Sequence, residues 1–410
     1  MPPRISRRAG NARSSPALQG SITVNWRAAA RLHLGHVWVY RSDILSAGDA
    51  APASLVSVND EAGRPLGSAL YSSSSQIALR FLGPDKLDAK ELVSELRKRL
   101  RAAIEYRNKI VTNSDAYRVA FSEADGLPGL VIDKYDDVLS LQVLSQVMDR
   151  ADIRDALLAE LIEQLEPAGV VENVDARIRR LETLPPREEG LLHGSKQDTI
   201  FHLNGVGFHF HGLSGQKTGA FLDQRENYAA AARYAHGSAL DVFTYQGGFA
   251  LHLARKCAEV TAVDSSRPAL EVAEKNEQLN REHHAHDIEW TEANAFDLLK
   301  DYATARRHYD TIVLDPPAFA KSKKTMDAAL RGYKELNLRA LKMLNPGGVL
   351  VTCSCSFHVS EGDFLDMLRA AAADARRTVK VLERRGQSQD HPVLLGVPET
   401  AYLKCVILQA

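Results

Sequence analysis

Cys355 lies in Val351-Thr352-Cys353-Ser354-Cys355-Ser356, directly after the apolar run Gly347-Gly348-Val349-Leu350-Val351. About forty residues upstream, Leu314-Asp315-Pro316-Pro317-Ala318-Phe319 closes a second apolar run, Thr311-Ile312-Val313-Leu314. Both runs read as buried strands. They would deliver a thiol and an acidic Asp-Pro-Pro turn to one edge of one sheet, and chemistry in open α/β sheets collects just beyond the carboxyl ends of the strands. A thiol nucleophile beside a carboxyl group is suited to methylating a pyrimidine. Carbon 5 of cytosine is too electron-poor to attack a methyl sulfonium until a thiolate has added to carbon 6. A group that protonates or hydrogen-bonds ring nitrogen 3 assists that addition. Cys355 is the expected nucleophile and Asp315 the expected acid. Without the Asp-Pro-Pro context Cys355 reads as a small buried hydrophobe. Cys353, two residues back on the same strand face, reads as packing.

A cofactor half precedes this pair. Leu240-Asp241-Val242-Phe243-Thr244-Tyr245-Gln246-Gly247-Gly248-Phe249 reads as a strand, a turn with two glycines and a helix start. Glycine there lets a ligand approach the backbone, so Asp241, Phe243, Tyr245, Gly247 and Gly248 are cofactor candidates. The next strand ends in Val263-Asp264-Ser265-Ser266. An acid at that spacing suits the two hydroxyls of an adenosine ribose, although Asp264 or a neighbouring serine also reads as the N-cap of a helix over 267–281. The third strand is followed by Ala293-Asn294-Ala295-Phe296-Asp297, with Asn294 placed for an adenine edge, Ala295 beside it and Phe296 placed to pack near the base. With Asp315, these features fit a class I S-adenosylmethionine fold. The dinucleotide fingerprint G-x-G-x-x-G is missing, which disfavours a nicotinamide site.

The elements that must position these groups alternate strand and helix from about residue 200. Strands are expected at 239–243, 259–263, 287–292, 309–314, 348–352 and 404–408, with helices including 267–281 and 327–344. That pattern predicts a largely parallel, doubly wound sheet. Upstream, residues 21–84 read as a β-rich module. Residues 85–190 read as a linker helix over 86–111 followed by a small α+β unit, with strands at 117–121, 130–133 and 138–143 and a helix at 149–165. Residues 191–410 form the expected catalytic domain. Residues 1–20 carry Arg4, Arg7, Arg8 and Arg13 and no acid, and read as a disordered basic tail.

The chain has 410 residues and 45% hydrophobic content, enough for two or three domains with sizeable cores. No apolar run approaches the ~18–20 residues that span a bilayer, so a soluble, cytoplasmic protein is expected. The net charge of -1 gives no global attraction to nucleic acid, so RNA contacts must come from local patches. Lys321, Lys323 and Lys324, just after the Asp-Pro-Pro turn, are the candidates, for phosphate contact or simply as a solvated loop. The cysteines at 257, 353, 355 and 405 form no disulfide framework and no metal-ligand spacing, so no metal is expected.

Several runs together resemble one family, the large-subunit (23S) ribosomal RNA cytosine-5 methyltransferases of the RlmI and RlmO type. They are Gly215-Gln216-Lys217-Thr218-Gly219-Ala220-Phe221-Leu222-Asp223-Gln224-Arg225, Glu123-Ala124-Asp125-Gly126-Leu127-Pro128-Gly129-Leu130, Arg331-Gly332-Tyr333-Lys334, Ser354-Cys355-Ser356 and Asp390-His391-Pro392. The resemblance covers almost everything after residue 20. It implies an N-terminal RNA-binding PUA domain, a small central α+β domain and a Rossmann-like methyltransferase domain using S-adenosyl-L-methionine. It further implies 23S ribosomal RNA as partner, a homodimer as in many relatives, and cofactor contacts from Lys217, Thr218, Gly219, Asp223, Arg225 and Ser265, with Lys217 and Arg225 able to contact either the cofactor carboxylate or the RNA. The family's usual His-Pro-Trp is replaced here by His36-Val37-Trp38. Many cytosine-5 RNA methyltransferases also place a second cysteine beside the acidic turn, where this chain has Ala318 and Phe319. Cys355 would therefore act alone, with no assigned base for the carbon-5 proton. Two other readings compete. One is an exocyclic-amine methyltransferase, which needs an aromatic immediately after the Pro-Pro turn. The other is a non-catalytic RNA-binding assembly factor.

Overall fold

The structure is a computed structural model and describes residues 20–213, 221–284, 286–320 and 323–410. Lys217, Thr218, Gly219, Lys321 and the basic tail therefore lie outside the described residues, and Lys323 is described in its backbone alone.

The chain divides into two compact units. One comprises the residues up to Arg101 with Leu144–Glu160 and Asp175–Pro186; the other comprises Ala102–Val143, Leu161–Val174 and Arg187–Ala410. The segment 85–190 is thus shared between them.

In the first unit, Ser21–Val24 (β1), Trp38–Tyr40 (β2), Ile44–Ser46 (β3), Leu55–Asn59 (β4), Pro65–Tyr71 (β5) and Ile77–Gly83 (β6) form a sheet in the order β2-β6-β5-β4-β1-β3. Helix Trp26–His33 (α1) starts on an Asn25 cap that accepts the Ala28 N–H. Ile22, Val24, Ala28, Val39, Val58 and Leu79 make the core. The expected helix at 86–111 is Ala89–Ile110 (α2), set off by Asp88, whose carboxylate accepts the Lys90 and Glu91 N–H groups.

In the second unit, Ala116–Phe121 (β7), Leu130–Tyr135 (β8), Val138–Val143 (β9), Gly169–Glu172 (β10) and Gly190–Gly194 (β11) form a five-stranded sheet. The expected helix at 149–165 is Ala151–Leu165 (α3), whose residues up to Glu160 are counted with the first unit, as is the whole of Ala176–Leu181 (α4), which follows β10. A hairpin of Asp198–Leu203 (β12) and Val206–His211 (β13) comes next.

The main sheet contains Ser238–Val242 (β14), Glu259–Asp264 (β15), Glu289–Glu292 (β16), Tyr309–Leu314 (β17), Leu344–Ser354 (β18), Lys380–Arg385 (β19) and Lys404–Gln409 (β20). Its order is β16-β15-β14-β17-β18-β20-β19, with β20 antiparallel to both neighbours and the remaining pairs parallel. Strand order reverses between β14 and β17, the place where such sheets open a crevice. β19 was not expected from the sequence. Its residues, Lys-Val-Leu-Glu-Arg-Arg, occupy an exposed edge and carry no buried apolar period.

The flanking helices are Arg225–Tyr234 (α5), Gly248–Leu253 (α6), Arg267–Leu279 (α7), Ala295–Thr304 (α8), Met326–Met343 (α9) and Glu361–Asp374 (α10). Strict alternation along β17 and β18 sends Val313, Val351 and Cys353 into one core with Phe208 and Leu253. Ile312, Leu314 and Leu350 enter a second core with Leu336, Leu341 and Phe364. Both sheet faces are covered, which is why these strands read as continuous apolar runs.

Candidate active site

A cavity of about 430 Å³ opens at the carboxyl ends of β14, β15, β17 and β18. Phe221, Asp223, Gln224, Phe243, Tyr245, Asp264, Ser265, Asp315 and Cys355 are among its walls. This volume lies within the range of small-molecule sites.

The turn after β14 is bent hard. Phe243 and Tyr245 adopt φ of 69° and 53°, unfavourable for side chains with a Cβ. Two anchors hold it: the Phe243 and Thr244 N–H groups both donate to the Val263 carbonyl at 2.9 Å. Beneath it Asp241 is fully buried. Its Oδ2 accepts the Thr244 hydroxyl at 2.6 Å and the Ala250 N–H at 2.9 Å, and its Oδ1 has no protein partner. Burial pushes its pKa up to about 7.

Asp264 ends β15 on the cavity wall. One oxygen accepts the Tyr245 N–H and the other the Ser266 N–H, both at 2.9 Å. Each oxygen keeps a lone pair for a further donor, so the carboxylate fits the paired hydroxyls of a ribose. The capping role belongs to Ser266, with Pro268 in the first turn of α7.

Asp315 follows β17 and accepts Gln224 Nε2 at 3.0 Å. It is half-buried and lines both the main cavity and a smaller one beside it. Enclosure by protein pushes its pKa up to about 8, and the neighbouring Asp223 and Asp241 add to this against the Gln224 hydrogen bond. Cys355 sits one residue beyond β18, its Sγ 3.9 Å from the Pro316 carbonyl. Burial pushes this thiol up to about 11, with Asp315 and Asp223 acting the same way. The flanking serines lock its position. Ser356 Oγ meets the Tyr333 hydroxyl at 2.8 Å and accepts the Ala320 N–H at 3.1 Å, and Ser354 Oγ accepts the Ser356 N–H at 3.3 Å. The thiol turn is therefore tied to the Asp-Pro-Pro loop.

Residues 22–83 match the PUA-like domain family, and residues 188–408 match the S-adenosylmethionine-dependent methyltransferase family. The ribosomal RNA large subunit methyltransferase I of Shewanella denitrificans is 37% identical over 91% of this chain and 94% of its own length. The protein of the same name from Aeromonas salmonicida is 36% identical over 92% and 95%. The chain belongs to the ribosomal RNA large subunit methyltransferase I family of S-adenosylmethionine-dependent methyltransferases. Its fold is also that of SMU.776, crystallised in complex with SAH, at a TM-score of 0.80 and 19% identity over 95% of this chain and 100% of that one.

Within this methyltransferase the expected residues divide. Asp223, Phe243, Tyr245, Asp264, Ser265, Asp315 and Cys355 converge on the cavity. Arg225 does not. Its guanidinium is buried and paired with Asp390 at 2.9 Å and Glu226 at 3.2 Å, so its role is to pin α5 rather than to hold a cofactor carboxylate. Asn294 does not line the cavity either: it is the N-cap of α8, its side-chain oxygen accepting the Phe296 and Asp297 N–H groups, and Ala295 is the buried first residue of that helix.

The two glycines answer to packing. A Cβ on Gly248 would lie 2.5 Å from the Tyr228 hydroxyl. One on Gly247, at φ of 86°, would lie 2.8 Å from the Trp290 ring. Gly248 also lines a small adjoining cavity beside Tyr245 and Asp315. Cys353 is buried and paired in register with Cys405, as packing requires. Lys324 is exposed.

Sequence reasoning missed two contributors, Gln224 and Lys404, and placed Tyr402 near the site without giving it a role. Gln224 grips Asp315, Tyr402 donates to Asp223 Oδ2 at 2.6 Å, and Lys404 donates from β20 to the Ser356 carbonyl at 2.7 Å. One signal was present for the last: a lysine inside the apolar strand Lys404-Cys405-Val406-Ile407-Leu408.

Proposed function

We propose that this protein methylates carbon 5 of a cytosine in 23S ribosomal RNA through a covalent Cys355 adduct. One observation carries the reading: Cys355 and Asp315 share one cavity with the Asp264 carboxylate and the strained turn after β14. S-adenosylmethionine, when bound, supplies an electrophilic methyl group. Asp264 and Ser265 are suited to its ribose, Phe243 and Tyr245 to its flanks, and Asp223 to its amino acid end, with Lys217, Thr218, Gly219, Gly247 and Gly248 as further proposed contacts.

The chain's own residues do the rest. The Cys355 thiolate adds to carbon 6, forming the S–C6 bond while Asp315, protonated near neutral pH, donates toward ring nitrogen 3. Carbon 5 thereby becomes nucleophilic and takes the methyl group. A base, for which water suffices, then takes the carbon-5 proton; its electron pair re-forms C5=C6 as the S–C6 bond breaks and the thiolate leaves, and ring nitrogen 3 returns its proton to Asp315. A carboxylic acid kept neutral by its surroundings is a known way to place a donor at physiological pH.

The Pro-Pro turn argues against the exocyclic-amine alternative. Ala318 faces the cavity, while Phe319 packs on Tyr333 and Phe296, with ring centroids 4.7 and 6.1 Å away. No aromatic from that turn is offered to stack on a target base.

In this reading residues 21–84 hold RNA, 85–190 connect and support, and 191–410 catalyse, with Lys321, Lys323 and Lys324 on substrate phosphates and the target base extruded from its stack. A cytoplasmic setting and a homodimer complete the proposal.

The test is Cys355→Ala against wild type, with labelled S-adenosylmethionine and 23S ribosomal RNA, the product nucleoside identified by mass spectrometry. The expected result is 5-methylcytidine from wild type and none from the variant. Methylation that survives in the variant, or falls on another nucleoside, overturns the cytosine-5 assignment.

A further inference from the structure

Lys404 has no part in the chemistry above, yet it reaches the thiol turn. It stands on β20 in register with Ser354 of β18, is 8% exposed, and donates from Nζ to the Ser356 carbonyl at 2.7 Å and the Tyr402 carbonyl at 2.9 Å. Among the described residues it forms no ion pair with a carboxylate, so its burial is not explained by a salt bridge. Burying a lysine without one is costly unless the group has work to do or gives up its proton.

The charged and titratable groups facing Cys355 come from four directions: Asp315 after β17, Asp223 before α5, Tyr333 on α9 and Lys404 on β20. The first two oppose a thiolate, and Lys404 is the one cation among these groups. On its other side Lys404 borders an open cavity of about 710 Å³ together with Glu361, Glu399, Arg384 and Arg385. Burial pulls Lys404 down to about 8, with Cys355 acting in the opposite direction, while the thiol alone is pushed up to about 11. An amine that is partly neutral near physiological pH can accept a proton that water would take only slowly from so weak an acid.

We propose that Lys404 is the positioning residue and proton partner of Cys355. Its neutral amine takes the thiol proton, breaking S–H and forming N–H, and the ammonium left behind stabilises the thiolate. When the adduct collapses and sulfur departs, the ammonium returns that proton, so the pair ends as it began. The carbonyl contact at Ser356 fixes the turn so that the exchange occurs at one geometry. The mechanistic meaning rests on Cys355 being the nucleophile, but the Lys404–Cys355 coupling itself does not.

The experiment is the pH dependence of Cys355 alkylation by iodoacetamide, read on the Cys355 peptide by mass spectrometry in the full-length free enzyme. Lys404→Gln keeps N–H donors for both carbonyls and removes the charge and the base. We expect Cys355 to react about tenfold more slowly at pH 7.5, where wild-type Lys404 is still largely charged, with the two rates converging at alkaline pH where Lys404 is neutral, and with kcat falling and KM for RNA unchanged. An unchanged rate at pH 7.5 in a variant that still binds S-adenosylmethionine by calorimetry overturns the proposal. Should Lys404→Gln lose cofactor binding, Lys404→Arg decides. A permanent cation must lower the midpoint, and an unaltered one overturns the proposal. Alkylation shifts of this kind in a protein whose Cys355→Ala variant still methylates would sink the adduct mechanism while leaving the coupling intact.

Discussion

At the scale of single residues, Asp315 sets a pH dependence with a definite sign. Its carboxyl is held protonated to about 8, and the proposed chemistry needs the protonated form. The rate constant kcat/KM should therefore decline as pH rises through about 8, while the demand for a Cys355 thiolate lowers it on the acid side. Asp315→Asn still offers an N–H toward ring nitrogen 3 but cannot transfer a proton. We expect kcat to fall about 10²-fold, the usual size of a lost general acid, and the alkaline limb to vanish from the pH–rate profile. An Asn variant that keeps that limb would assign it to another group. The raised pKa also acts on stability. The folded state keeps a proton that the unfolded chain releases near pH 4, so this contribution is fully present at low pH and is lost as pH climbs toward 8.

At the scale of elements, the turn joining β14 to α6 shows how the sheet builds the cofactor side. Of its two residues with positive φ, Phe243 is held together with Thr244 by the Val263 carbonyl and Tyr245 by the Asp264 carboxylate, and a buried carboxyl anchors the start of the helix. The glycine pair allows α6 to pack closely enough for this to close. Gly248→Ala would drive a methyl group into the buried Tyr228 ring, 2.5–2.9 Å from three of its atoms. Tyr228 is itself wedged against Phe249 and His252 and has little room to yield. The expected cost is about 1–3 kcal/mol, seen as a melting temperature lowered by several degrees in calorimetry, together with weaker S-adenosylmethionine binding. A fully stable variant would show that α6 slides to accommodate the methyl group.

At the scale of the whole molecule, Asp390 joins segments far apart in sequence. It is fully buried and accepts Arg225 at 2.9 Å and the Arg118 N–H at 2.8 Å, while its own carbonyl accepts Arg107 at 2.7 Å. Arg107 also binds Asp125 at 2.8 Å, so α2, β7, the Glu123–Gly129 turn and α5 meet at one network inside the second unit. Burial would raise the Asp390 pKa, but His391, Arg225 and the Arg118 N–H outweigh it and hold the group well below the usual carboxylate range. The sign is thus opposite to that of Asp315: this stabilisation is present above about pH 4 and is lost as pH falls through the depressed folded value. Asp390→Ala strands buried arginines and should cost about 3–5 kcal/mol at pH 7 in denaturant unfolding. The difference from wild type should shrink in strong acid, and an equal loss at every pH would assign the effect to packing alone.

The sequence by itself determined the sheet that carries the chemistry. The runs at β14, β15, β17, β18 and β20 are apolar because both faces are covered, and burial on two faces leaves a pattern that can be read without coordinates. Asp264, Asp315 and Cys355 were legible for the same reason, since each stands at or just beyond the carboxyl end of a recognisable strand. The tertiary structure alone decided which other groups meet them. Arg225 and Asn294 sit in runs that look functional, yet one is consumed by Asp390 and the other by the start of its own helix. Partners 165 residues apart, such as Arg225 and Asp390, leave no local pattern. The same holds for Gln224 on Asp315, Tyr402 on Asp223 and Lys404 beside Cys355. Local periodicity records what a segment buries, whereas the partner of a polar group is set by chain segments brought together only when the sheet closes.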